Sequence, residues 1–217
     1  MKKGVIFDLD GTLIDSVPDI ADCLNDTLTR FNFPTVTIDK VKNIIGNGAK
    51  KLIIDAIDQV LPDEKIEELL AYYNDIYTSS SSPKTIVFDG MIEVLKTLKE
   101  KGYKLAVLTN KPQATTEKVC SIYLKEIGFD IVYGQMLGRA KKPDKTSTLE
   151  IIQKFNLSKE NIIFVGDGDA DYLTAKNAGV KSVSVLWGYR TKEQLINLGA
   201  KNFVNTPSEL LDFLINN

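Results

Sequence analysis

The stretch Val5-Ile6-Phe7-Asp8-Leu9-Asp10-Gly11-Thr12-Leu13-Ile14-Asp15-Ser16 interrupts an apolar run with two carboxylates one residue apart. Alternation along an extended chain points Asp8 and Asp10 to one side, where two anions about 4 Å apart repel by roughly 4 kcal/mol at an effective dielectric of 20. Such a pair requires positive charge from elsewhere. Similar apolar runs recur at Gly4 to Phe7, Leu105 to Leu108, Ile162 to Val165 and Val183 to Leu186. Each is nearly continuous, the pattern of strands covered on both faces of a parallel sheet. Between them, Met91, Val94, Leu95 and Leu98 before Gly102, and Leu173 to Ala178 before Gly179, fit helices closed by glycine. The predicted core is a doubly wound, Rossmann-like α/β domain with a parallel sheet.

The segment from Val17 to about Tyr77 has helical periodicity instead. Val17, Ile20, Ala21, Leu24, Leu28 and Phe31 share one face; Ala49, Leu52, Ile53, Ala56, Ile57 and Val60 follow the same spacing. A third helix is expected through Ile66, Leu69, Leu70 and Tyr73. Ser79 to Ser82 and Pro83 read as a linker. The expected organisation is a core of residues 1–15 and 84–217, with a small all-helical cap of residues 16–83 inserted after the first strand. Its hinges fall near Asp15 to Val17 and Ser79 to Lys84.

A chain of 217 residues, 43% apolar, can bury a large core with a small second one. Its net charge of −2, with Lys and Glu interspersed, lacks the footprint of a nucleic-acid binder. The apolar stretch at the start is too short and too acidic for a leader or a membrane span, so the expected location is the cytoplasm. Cys23 and Cys120 lack metal-ligand spacing and read as buried, reduced thiols. The chain has no histidine, which excludes Ser-His-Asp and Cys-His catalysis and imidazole metal sites. Acid-base work falls to carboxylates, lysine or tyrosine.

Ligands of open α/β sheets sit beyond the carboxyl ends of the strands. There the sequence places Asp8-Leu9-Asp10-Gly11-Thr12, Thr109-Asn110-Lys111 and Gly166-Asp167-Gly168-Asp169-Ala170-Asp171. Converging carboxylates without a soft ligand point to a hard divalent ion, most simply Mg2+, which is usually bound together with a substrate phosphate. Asp144-Lys145-Thr146-Ser147-Thr148 imitates the phosphorylation motif of ion pumps, but it follows no buried strand and reads as a capped helix start.

DLDGTLIDS, LTNK, the lysine-proline pair of KKPD, and GDGDAD, in this order, resemble the four motifs of the haloacid dehalogenase superfamily in its phosphatase branch. IGNGAKK and LWGY are most similar to the phosphoglycolate phosphatase-like group. The resemblance implies that Asp8 is the nucleophile, forming an aspartyl phosphate. Asp10 is then the general acid and base, and its backbone carbonyl joins Asp8 and Asp167 on the metal. Thr109, Asn110 and Lys142 bind the phosphoryl group, with Asp171 orienting Lys142 or a metal-bound water. Gly11 lets the chain turn near the phosphate, and Thr12 supports Asp10. Gly168 stands where the family often has a hydroxyl, with Asp169 as the candidate replacement, and Lys142 is preferred to Lys141 because it directly precedes Pro143.

In the insert, Gly46-Asn47-Gly48 opens a helix followed by Lys50 and Lys51, a candidate anion site at Gly48 and Lys50. The expected partner is a small phosphorylated metabolite, best matched by 2-phosphoglycolate, and the expected assembly is a monomer or homodimer. Alternatives are a β-phosphoglucomutase-type sugar-phosphate mutase, a phosphatase for sugar phosphates or pyrophosphate, and a noncatalytic metal- and phosphate-binding domain. Asp10 and Asp167 argue against halide-releasing chemistry.

Overall fold

Strand β1 (Gly4–Phe7) is the pivot of the computed structural model, which describes residues 3–217. In chain order, the described residues continue with β2 (Ile14–Asp15) and four helices, α1 (Val17–Arg30), α2 (Ile38–Ile44), α3 (Ala49–Ile57) and α4 (Asp63–Ser79). After these come β3 (Ile86–Val87), α5 (Met91–Glu100), β4 (Lys104–Pro112), α6 (Gln113–Tyr123), β5 (Ile131–Gln135), α7 (Thr146–Phe155) and β6 (Ile162–Gly166). The chain ends with α8 (Asp169–Ala178), β7 (Lys181–Val185), α9 (Lys192–Leu198), β8 (Phe203–Val204) and α10 (Pro207–Asn216).

The parallel sheet has the order β5-β4-β1-β6-β7-β8. Chain direction across it reverses between β1 and β6, which opens a crevice at their carboxyl ends. The continuous apolar runs are explained by burial on both faces. Val5, Phe7, Val107 and Val165 pack with Met91 and Leu95 of α5 and Leu210 of α10, whereas Ile6, Ala106 and Phe164 meet Ile151 of α7 and Ala175 of α8. Two expectations were incomplete here. Edge strand β5 was not anticipated, since only two of its five residues are buried, and β8 spans two residues.

Helices α1 to α4 build a separate apolar cluster around Leu24, Leu28, Ile53, Leu69 and Tyr73. Helix α2 is additional to the three expected; with Val41 as its one buried residue, it leaves little periodic signal. Val60 is fully exposed, because α3 ends at a left-handed Asp58 before the expected stripe is complete. The two connections lie side by side, with β2 and β3 paired antiparallel. Asp19, at the start of α1, accepts hydrogen bonds from Lys84 N–H and the Thr85 hydroxyl. The serine stretch is also held: Lys118 Nζ donates to the carbonyls of Thr78 and Ser80, and the Tyr123 hydroxyl to that of Ser82. A cation over the last carbonyls of α4 complements the helix dipole.

Cys23 and Cys120 are buried free thiols, and burial pushes them up to about 11 and about 12. Thr146 opens α7 and its N–H donates to the Asp144 carboxylate, so that motif is a helix start as read, but the cap position is Lys145, which supplies no side-chain cap. Among the described residues, no helix is long and apolar enough to cross a membrane.

Candidate active site

The cleft above the sheet is walled by the rim of the core on one side and, on the other, by Ile20, Ile45, Ala49, Leu52 and Tyr73 of the helical layer. Asp8 follows β1 directly, with its N–H bonded to Val165 O, which fixes it beside the end of β6. Asp167 follows β6. Gly11 adopts a φ of +86°, and a Cβ there would lie 2.5 Å from an Asp167 carboxylate oxygen. Gly188 is equally constrained on the opposite side, where a Cβ would fall 2.2 Å from Asp167 Cβ. Gly11 thus makes room for Asp167, a more specific role than the expected turn.

Asp8, Asp167 and Asp171 are buried and present carboxylate oxygens within 4.8 Å of one another. Burial, and then repulsion from Asp171, push Asp8 up to about 7, with Lys142 opposing. Burial, then Asp171 and Asp8, push Asp167 up to about 8, although Tyr189 N–H donates to it at 2.7 Å. Lys142 Nζ lies 2.5 Å from Asp171 and 2.7 Å from Asp8 Oδ1. Burial alone would lower this ammonium, but the two carboxylates hold it above the ordinary lysine range. Lys142 rather than Lys141 reaches Asp8; Lys141 Nζ instead points toward Gly48, 3.4 Å from where a Cβ would be.

These residues fit a hard divalent cation. The donors are all oxygen, two are raised by burial and then by repulsion from neighbouring carboxylates, and the buried Asp8 Oδ1 has no hydrogen-bond partner, its contact with Lys142 being an ion pair outside hydrogen-bonding direction. The third clustered carboxylate is Asp171 and not Asp10.

Asp10 faces different neighbours. Ser16 Oγ and Lys111 Nζ donate to its Oδ1 at 2.5 and 2.8 Å. The Thr12 hydroxyl donates at 3.3 Å to Asp167, so Thr12 supports the metal side and Ser16 takes the place expected for Thr12. Lys111, 5% exposed, also donates to the Tyr77 hydroxyl of α4 and stands over the Tyr77 ring.

Thr109 and Asn110 lie inside β4, between Leu108 and Pro112 where its pairing with β5 shifts register, and both line the cleft. The Thr109 hydroxyl oxygen accepts from Lys111 N–H at 3.2 Å and retains its own proton for donation. The Asn110 side chain is otherwise occupied: Oδ1 accepts from Lys142 N–H, and Nδ2 donates to the carbonyls of Lys142 and Gly46. It braces the Lys142 loop and touches the helical layer. Asp171 accepts from Gly168 N–H as well as from Lys142. Asp169 pairs with Arg190 at 3.3 Å.

Gly48 lines the cleft, but Lys50 does not; it is exposed and paired with Glu67 at 2.7 Å. The expected specificity role of Lys50 therefore has no geometric basis. Several contributors carried no expected role. Arg190 donates to the carbonyls of Lys42 and Ile45, tying the core to the α2–α3 connection. The Tyr189 hydroxyl donates to Asp15, and Trp187 Nε1–H to Thr12 O, so the LWGYR segment folds over the first motif. The only signal for these in the sequence was the LWGY resemblance.

Residues 5–185 match the family model for haloacid dehalogenase-like hydrolases. A phosphoglycolate phosphatase of Psychrobacter arcticus is 31% identical over 225 residues, spanning 99% of this chain and 96% of that protein. One from Haemophilus influenzae is 35% identical over 198 residues, spanning 86% and 87%. Among solved structures, a predicted phosphoglycolate phosphatase from Haemophilus somnus aligns with a TM-score of 0.89 at 27% identity, covering 98% of this chain and 97% of that one. The four motifs, the sheet order that brings them together, and a match over most of the length agree: the chain belongs to the haloacid dehalogenase-like hydrolases, in the branch that resembles the phosphoglycolate phosphatases.

Proposed function

We propose that the protein is a magnesium-dependent phosphomonoesterase that acts through an aspartyl phosphate on Asp8, with 2-phosphoglycolate as the favoured substrate. The observation that supports this best is Asp8 itself: a buried carboxylate at the cleft, with one oxygen lacking a hydrogen-bond donor, set between Lys142 and Asp167. The choice of substrate follows the names of the relatives.

Asp8 attacks phosphorus, and the bond from phosphorus to the ester oxygen breaks with its electron pair going to that oxygen. Asp10 gives its proton to the departing oxygen. It then removes a proton from water, which attacks the phosphorus of the acyl phosphate, releases inorganic phosphate and restores Asp8. Lys142 and the Thr109 hydroxyl hold the phosphoryl oxygens during both transfers. A divalent cation held by Asp8, Asp167 and the Asp10 carbonyl would neutralise charge on the transferring group. Asp8, Asp10, Asp167 and Asp171 are balanced by Lys142, Lys111 and that dication. Closure of the helical layer over the core excludes bulk water.

The test is phosphate release from 2-phosphoglycolate, a hexose phosphate, pyrophosphate and p-nitrophenyl phosphate with Mg2+. The expected result is fastest release from 2-phosphoglycolate, abolished by excess chelator. Undiminished turnover in chelator contradicts the metal role, and isomerisation of the hexose phosphate without phosphate release makes the protein a mutase.

A further inference from the structure

Lys111 is a buried cation to which the proposed chemistry gives no contact with substrate. Three cationic side chains line the cleft among the described residues: Lys111, Lys142 and Arg190. Lys142 is engaged by Asp8 and Asp171, and Arg190 by Asp169 and two backbone carbonyls. Lys111 has two side-chain partners, Asp10 Oδ1 at 2.8 Å and the Tyr77 hydroxyl. An ammonium has three N–H donors, so one remains. The surrounding wall of the helical layer is mostly apolar, with Ile20, Leu52 and Tyr73 nearby in the cleft, which strengthens any charge contact made there.

We propose that Lys111 is a specificity-determining residue that binds a second anionic group of the substrate, carried on the carbon that bears the ester oxygen. This rests on the reading of Asp8 as nucleophile and Asp10 as acid, and adds the residue that reads the substrate's second anionic group. The leaving oxygen must lie within hydrogen-bond reach of Asp10. Lys111 holds Asp10 directly, so an anion bound to its remaining donor lies close to that oxygen. A carboxylate one carbon away satisfies both contacts, and an α-phosphoryloxy carboxylate is the smallest molecule with this arrangement. Lys50, the alternative cation, is turned away toward Glu67. The Tyr77 contact joins this recognition to α4, so the helical layer contributes to the pocket that reads the charge.

The experiment compares kcat/KM for 2-phosphoglycolate and for ethyl phosphate, which matches it in length but lacks the carboxylate, in the native protein and in Lys111→Met. The native protein is expected to favour 2-phosphoglycolate, and Lys111→Met to reduce that preference by roughly 10- to 100-fold, the worth of a hydrogen bond to a charged group. Calorimetric titration of 2-phosphoglycolate into Asp8→Asn, with and without Lys111→Met, gives a readout independent of turnover and is expected to show the same loss. Equal losses on both substrates would make Lys111 only a support for Asp10 and overturn the inference. A native protein that hydrolyses ethyl phosphate as well as 2-phosphoglycolate also overturns it, even if the variant does not fold, while leaving the phosphatase reading intact. No phosphate release from any monoester overturns that reading and this inference together.

Discussion

Asp8 and Asp10 are one residue apart, yet the environments they enter are opposite. Asp8 points into a group of carboxylates, with Asp167 and Asp171 within 4.8 Å and only Lys142 to compensate. Asp10 points into donors, with Ser16 and Lys111 on one oxygen and the Tyr77 hydroxyl behind the lysine. The acidic side belongs to the core rim at the β1/β6 crevice, and the donor side is shared with α4. The difference shows how two identical side chains acquire unlike environments: one demands a cation, and the other is supplied with hydrogen-bond donors.

The strongest way to break this contrast is to remove the acidic side's reactive oxygen. Asp8→Asn should lower kcat by 10⁴-fold or more, on the order of losses for a nucleophile, with an unchanged circular dichroism spectrum. Residual activity near the native level would refute the assignment of roles. Asp10→Asn should cost roughly 10²- to 10⁴-fold in kcat, the usual worth of a general acid, with a smaller effect on substrates whose leaving oxygen needs no proton, such as p-nitrophenyl phosphate. An equal loss on both substrates would remove the distinction between the two aspartates.

A third prediction concerns protons and metal on the acidic side alone. Asp8 and Asp167 are raised to about 7 and about 8 from an ordinary 3.8, so the metal-free folded state keeps protons that the unfolded chain has already released. Stability from these groups is complete below the unfolded value and is lost as pH rises from about 4 through 7 to 8. A dication replaces those protons, so Mg2+ should raise the melting temperature more at pH 8 than at pH 6. Equal shifts at both values would mean that the cation does not compete with these carboxylates.

Much of this contrast was legible in the sequence. Asp8 and Asp167 stand in motifs at the ends of apolar runs, where sheet topology alone brings them together, and Lys142 was marked by its place directly before Pro143 in the resemblance. What was not legible depends on contacts between distant segments. Lys111 meets Asp10 across 101 positions, and nothing in LTNK shows that its side chain turns inward. Lys50 looked suited to an anion because it follows a glycine turn, but Glu67 on the neighbouring helix takes it. Thr12 and Ser16 are both plausible supports for Asp10, and only the turn set by Gly11 decides that Thr12 faces Asp167 instead. The short elements α2 and β8 carry too few buried positions to imprint a period.

The smallest predicted effect lies where the two regions meet. Arg190→Met removes two hydrogen bonds to the α2–α3 connection and should raise KM about threefold to tenfold, with kcat changed less, since the two partly exposed bonds, at roughly 0.5 kcal/mol each, sum to about 1 kcal/mol. A loss confined to kcat would place Arg190 in the chemistry and not in holding the helical layer over the cleft.

The most direct test of the central claim is mass spectrometry of protein quenched in acid during turnover of 2-phosphoglycolate with Mg2+. Phosphate attached to the peptide containing Asp8, and absent from the Asp8→Asn protein, is the predicted result. Turnover without phosphate on Asp8, or with phosphate on another residue, would contradict it.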